Sequence, residues 1–184
     1  MRVTQRFRIA ARPTVRHCTG GRWLAACAVA LCAIAFAGSP AVGDGDPRLA
    51  PDFALRSLDQ GNQRLSEYRG DVVVLCFWAS WCGDCRRRLP QLNELYDEHR
   101  AAGLAVLGIN LDEDAGRARE IARVLGLEFP VLLDSAGAVS RLYDVERVPQ
   151  VVVVDRDGSV RHVYDASGEE AERWRDDVLA LLRE

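Results

Sequence analysis

Three apolar runs of strand-forming residues limit the fold of this chain more than any other feature: Val72 to Trp78, Leu104 to Asn110 and Gln150 to Asp155. A strand without polar alternation must be covered on both faces, so these runs belong in the middle of a sheet with helices above and below it. Helical patterns fill the intervals. Leu89, Leu92, Leu95 and Tyr96 recur at helical spacing up to Gly103, with Pro90 expected to kink that helix, and Asp114 to Leu125 forms a second helix ending at Gly126. Val131 to Leu133 reads as a short strand and Ala136 to Tyr143 as a short helix. The turn Asp155-Arg156-Asp157-Gly158 leads into Ser159 to Tyr164, which predicts a hairpin. The last helix opens on Ser167 and Glu170 in capping-box spacing and is expected to bury Ala171, Trp174, Val178 and Leu182. Ahead of the first run, Asp52 to Ser57 and Gln63 to Leu65 flank the turn Asp59-Gln60-Gly61-Asn62 and read as a small hairpin. Together these elements make an α/β domain of about 130 residues, mostly parallel with one antiparallel edge.

The amino-terminal segment follows other rules. Six Arg and no acidic residue occur in the first 41 positions, and an apolar run from Trp23 to Ala37 is followed by small residues at Ala35-Phe36-Ala37 and Ser39-Pro40-Ala41. This is the pattern of an export signal, and the run is shorter than the roughly 20 residues that a membrane helix needs. Residues 1–41 are therefore expected to be a signal peptide or an uncleaved inner-membrane anchor, 42–50 a linker rich in Gly, Asp and Pro, and 51–184 the folded domain. Leu24-Ala25-Ala26-Cys27 precedes most of the apolar run, which argues against a lipoprotein site, and no twin-Arg pair precedes the run. Beyond residue 41 the chain carries nine more acidic residues than Arg and contains no Lys, so a nucleic-acid partner is not expected.

Of six cysteines, Cys18, Cys27 and Cys32 fall in the export segment, leaving Cys76, Cys82 and Cys85 in the body. Cys82 and Cys85 lie where a buried strand gives way to a helix. Residues three apart on a helix share a face, with Cβ atoms roughly 5–6 Å apart, so a disulfide can open and close there without a large backbone shift. A helix N-terminus lowers a thiol pKa from about 8.5 toward roughly 3.5–7.5. Cys82 is expected to attack a substrate disulfide and Cys85, one turn deeper, to resolve the mixed disulfide. Competing readings are weaker on physical grounds. A zinc site needs four ligands, and a single Cys-x-x-Cys with only His99 and His162 in the body does not supply them. A structural disulfide closing so short a loop adds little stability, and a peroxidatic cysteine would not need a partner three residues away. Cys76, inside an apolar strand, reads as a small buried hydrophobe. No nucleotide, flavin or metal motif occurs and no cofactor is expected; both histidines read as surface residues.

At this point the sequence resembles the thioredoxin superfamily, and within it the exported TlpA-like thiol-disulfide oxidoreductases of the redoxin, AhpC/TSA-like group. The resemblance runs from about Pro51 to Leu182. It rests on Ala50-Pro51-Asp52-Phe53, Phe77-Trp78-Ala79-Ser80-Trp81-Cys82, Leu89-Pro90, Gly108 to Asp112, Phe129-Pro130, Val148-Pro149 and Val154-Asp155-Arg156-Asp157-Gly158. It implies a thioredoxin-like fold: a central mixed sheet of four to five strands flanked by helices, with an N-terminal hairpin and an inserted strand-helix unit. It also implies a cis Pro149 packed on the active-site cysteines, and Trp81, Val148 and Pro149 in contact with substrate, the Val148 backbone pairing with a client chain like an added strand.

The departures from the family pattern carry information. Gly83-Asp84 stands between the cysteines where a Pro usually precedes the second one, and an acid beside a developing thiolate disfavours it. Cys76 and Arg88 occupy positions where relatives often carry Asp or Asn and Glu, so Asp84 or water is expected to handle the proton, with Asp84 and Arg88 tuning the thiol pKa. Arg86 and Arg87 read as solvated; Arg88 reads equally as solvated or as tuning. The implied activity is reduction of protein disulfides outside the cytoplasm, with electrons from a membrane-bound thiol donor and cytochrome c maturation as the context. A disulfide oxidant or isomerase, a peroxiredoxin-type peroxidase and a non-enzymatic client-binding module remain as alternatives.

Overall fold

The structure, a computed structural model, describes residues 49–165 and 173–184. The export segment with Cys18, Cys27 and Cys32, residues 42–48 of the lead-in, and Ser167, Glu170 and Ala171 of the expected capped helix start lie outside the described residues.

The apolar runs become the centre of one sheet, as their patterning requires. Strands β1 (Ala54–Ser57) and β2 (Asn62–Arg64) form the N-terminal hairpin. β3 (Val72–Trp78), β4 (Leu104–Asn110) and β6 (Gln150–Val154) are buried along their whole length. β5 (Val131–Leu133) and β7 (Val160–Asp165) complete the set. The helices are α1 (Gly83–His99), α2 (Ala115–Leu125), α3 (Ala138–Leu142) and α4 (Trp174–Leu181). Among the described residues no helix is long and apolar enough to cross a membrane.

Period-two alternation divides the core in two. Val72, Val74, Cys76 and Trp78 of β3 face Leu89, Leu92 and Leu95 of α1, Ala118 of α2, and Trp174, Val178 and Leu181 of α4. Val73, Leu75 and Phe77 face the other way, onto Phe53, Leu65 and Val139 of α3. In α4 it is Leu181 that is fully buried and Leu182 that is half-buried, one residue off the expected register. Helix α1 continues past Pro90 to His99 without interruption. α2 begins as expected, with Asp114 accepting from the Gly116 N–H at 2.8 Å, and ends at Gly126 in the left-handed conformation, φ 61°.

Two expectations about the sheet are corrected. It has seven strands, in the order β2-β1-β5-β4-β3-β6-β7, not four to five. The N-terminal hairpin does not stand aside: β1 pairs with β5 through Arg56↔Leu133 and Ser57↔Leu132 and extends the sheet. Nor is the sheet mostly parallel. Only β3–β4 and β4–β5, the pairs joined by helical crossovers, are parallel, while β3–β6, β6–β7, β1–β5 and β1–β2 are antiparallel. The chain also joins the sheet slightly earlier than expected, because Leu49 bridges Ser159 and the Ala50 N–H donates to the Gly158 carbonyl at 2.8 Å.

Gly108 shows how tightly the site-facing side is packed. It lies between Cys76 and Val131 in the parallel ladder, and a Cβ there would meet Phe129 Cε2 at 2.8 Å and Trp78 Nε1 at 3.2 Å. Gly108→Ala is therefore expected to destabilise the protein by about 1–3 kcal/mol through overpacking. Urea unfolding would show a lower midpoint at unchanged slope; an unchanged midpoint would mean that Phe129 yields freely.

Candidate active site

The site forms where the buried strand can no longer continue. After Trp78 the chain turns through Ala79, Ser80 and Trp81, with the Cys82 N–H donating to the Ala79 carbonyl at 3.2 Å. Cys82 is the N-cap of α1, with extended backbone (φ −86°, ψ 111°), and its sulfur accepts the Cys85 N–H at 3.0 Å. An otherwise unpaired donor of the helix start thus points at the sulfur. Cys82 and Cys85 form a disulfide, with Cα atoms 5.3 Å apart. Cys85 is 0% exposed, Cys82 7%, and the neighbouring Trp81 69%.

The Val148–Pro149 peptide bond is cis, and the Val148 carbonyl oxygen lies 3.5 Å from the Cys82 sulfur. The structure thus brings Cys82, Cys85, Val148 and Pro149 together. Trp81 projects beside them over a surface groove of about 440 Å³ that Leu111, Asp112, Glu113, Asp114 and Arg117 also line.

The charged residues separate by burial. Asp84 is exposed and ion-paired with Arg87 on the outer face of α1, so water and the guanidinium both weaken its field at the sulfur. Arg86 is exposed but donates from Nη2 to the Ser80 carbonyl at 3.0 Å. Arg88 is not a solvated residue: it is 9% exposed, with its guanidinium 5.5 Å from the centre of the Trp174 ring and Nη1 donating to Gln91 Oε1 at 3.2 Å. Its charge reaches the buried Cys76 thiol, where it favours the thiolate, but desolvation is larger and pushes that pKa up to about 12. His99 and His162 are both half-buried, His99 beside Glu98 at the end of α1 and His162 stacked on Tyr164 in β7.

Sequence reasoning missed one group. Asp112, just past the end of β4, is buried and accepts from the Ser80 N–H at 2.8 Å, the Ser80 hydroxyl at 2.9 Å and Asn110 Nδ2 at 2.7 Å. The available signal was positional. Asn110 and Asp112 are polar residues at the carboxyl end of a buried strand, where sites in α/β sheets gather, and Asn110 pairs in register with Trp78.

A cysteine pair at the start of the first long helix of a mixed sheet, faced by a cis proline, defines a thioredoxin-fold redox protein. The chain belongs to the AhpC/TSA family, whose model matches residues 47–163, and within it to the ResA- and TlpA-like redoxins. It is 37% identical over 114 residues to the thiol-disulfide oxidoreductase ResA of Geobacillus kaustophilus, a match covering 62% of this chain and 66% of that protein. It is 28% identical over 148 residues to ResA of Bacillus subtilis, covering 80% of each. A solved structure from Chlorobium tepidum, described as a thiol:disulfide interchange protein DsbE, is similar with a TM-score of 0.69 and 37% identity, covering 73% of this chain and 95% of that one.

Burial makes the three body cysteines unequal. Burial, which pushes the Cys76 thiol up to about 12, keeps it protonated at pH 8. In the reduced folded protein, iodoacetamide at pH 8 followed by peptide mapping should label Cys82 first and leave Cys76 unlabelled until the chain is denatured. Labelling of Cys76 at a rate comparable to Cys82 would contradict this account of its environment.

Proposed function

We propose that this protein is an exported dithiol-disulfide oxidoreductase that reduces disulfides in protein clients outside the cytoplasm. The observation that carries the reading is the Cys82–Cys85 disulfide, which joins a sulfur near the surface to a fully buried one at a helix N-terminus. The names of the relatives, thiol-disulfide oxidoreductases and a thiol:disulfide interchange protein, support the same chemistry.

In the reduced protein the Cys82 thiolate attacks one sulfur of a client disulfide. A Cys82–client bond forms and the other client sulfur leaves as thiolate. Cys85, deprotonated, then attacks the Cys82 sulfur; the intramolecular disulfide forms and the second client sulfur leaves. Two electrons have passed to the client, whose sulfurs take up two protons. A membrane-bound dithiol donor reverses the exchange and restores the pair. The cis Pro149 loop and exposed Trp81 flank Cys82, and the Val148 backbone is the edge on which an extended client would lie. Arg88, a buried cation one turn beyond Cys85, favours the thiolate needed for the second attack, while Asp84 or water accepts the proton. Cytochrome c maturation is the proposed context, with residues 1–41 acting as signal peptide or inner-membrane anchor.

Each step has its own variant. Cys82→Ser is expected to reduce disulfide-reductase activity on a protein substrate to background. Cys85→Ser should retain the first attack and accumulate a Cys82–client mixed disulfide, visible by mass and released by dithiothreitol. Function left intact in both variants would rule out exchange and favour a client-binding module.

A further inference from the structure

Every backbone and side-chain polar atom of Ser80 is engaged. Its N–H and hydroxyl donate to the two oxygens of Asp112 at 2.8 and 2.9 Å, and its carbonyl accepts from Arg86 at 3.0 Å. Asp112 is held in turn by Asn110, which donates to it from Nδ2 at 2.7 Å and accepts its N–H at Oδ1 at 3.1 Å. Asp112 is 5% exposed, and its donors from Ser80 and Asn110 are neutral groups. Burying a carboxylate is costly unless its hydrogen bonds are made, and here they are made to the turn two residues ahead of Cys82.

The consequence depends on redox state. In the disulfide, Cys82 is tied to Cys85 by a covalent bond. In the dithiol that bond is gone, and Cys82 is placed by its N-cap contacts, the Cys85 N–H on its sulfur and the Arg86 N–H on its carbonyl at 3.4 Å, together with the Ala79–Ser80–Trp81 turn, which then carries a larger share of the restraint. We infer that Asp112 is a positioning residue for Cys82: through Ser80 it holds the nucleophile's turn in the reduced protein. This rests on the dithiol-exchange reading and extends it to a residue that touches neither sulfur.

Loss of the clamp should therefore weaken the reduced form more than the oxidised form, whereas a purely architectural residue would weaken both alike. The experiment equilibrates the full-length protein with glutathione, in which protein disulfide plus two glutathione thiols gives protein dithiol plus glutathione disulfide. Melting is measured in parallel for both redox forms. Asp112→Ala is expected to shift the equilibrium about tenfold toward the protein disulfide, equivalent to about 30 mV for this two-electron couple, and to lower the melting temperature of the reduced form more. Ser80→Ala, which removes only the hydroxyl contact, should shift it about threefold in the same direction. Asp112→Asn, which keeps one carbonyl acceptor, should fall between them. Equal losses in both redox forms with the equilibrium moved less than twofold would overturn the proposal. Should Asp112→Ala fail to fold, Ser80→Ala decides by the same criterion. The glutathione equilibrium needs no client, so it can fail while the Cys82 and Cys85 variants still behave as exchange requires.

Discussion

Burial of β3 on both faces determines where the Cys82–Cys85 pair sits and what surrounds it. With Val72 to Trp78 enclosed by α1, α2 and α4 on one face and by Phe53, Leu65 and the short α3 on the other, the chain leaves the sheet at the strand's carboxyl end, and the parallel neighbour β4 ends at the same level. The turn that follows is closed by main-chain hydrogen bonds, and α1 begins at once. Cys82 is thereby placed at a helix N-terminus, and Cys85 one turn deeper, against the core that Leu89, Leu92 and Leu95 hold in place. The antiparallel return of β6 along the other edge of β3 brings Val148 and Pro149 to the same spot.

Opposing influences meet at the Cys82 sulfur. The Cys85 N–H and the positive end of α1 favour negative charge, an effect of about 0.3–2 kcal/mol for a charge at a helix terminus. Burial and the facing Val148 carbonyl disfavour it. The exposed Asp84–Arg87 pair carries little net charge and is screened, so it moves this balance less than its position beside Cys82 would imply. Arg88 is the charged side chain of this cluster that burial shields from water, and it lies behind the pair, on the Cys85 and Cys76 side.

How much of this was legible in the sequence depended on whether the cause was local. Continuous apolar runs identified the central strands because double burial leaves no room for alternation. The spacing of Cys82 and Cys85 pointed to a strand-helix junction, where the two form a disulfide, and the family resemblance pointed to the cis Val148-Pro149 bond that faces it. What could not be read was tertiary. β1 joins β5 through two residue pairs with no composition signal of their own, so the hairpin gave no hint that it would extend the sheet. Arg88 read equally as solvated or as tuning from the sequence, and it is the tertiary contact with Trp174 that takes it out of solvent. Asp134 accepts from the N–H groups of Ala138, Val139 and Ser140 and so starts the short α3 later than its apolar pattern implied. Asp112 lay within the resembling stretch, but its task became visible only with Ser80 beside it.

The direction of electron flow is the central functional claim, and the reduction potential of the Cys82/Cys85 couple tests it most directly. Equilibration of the wild-type protein against glutathione and dithiothreitol buffers should give a value at or below about −270 mV, the level of thioredoxin, as expected for a reductase fed by a strong donor. A value near −120 mV, where strong periplasmic oxidants lie, would contradict the account and reverse the assigned direction.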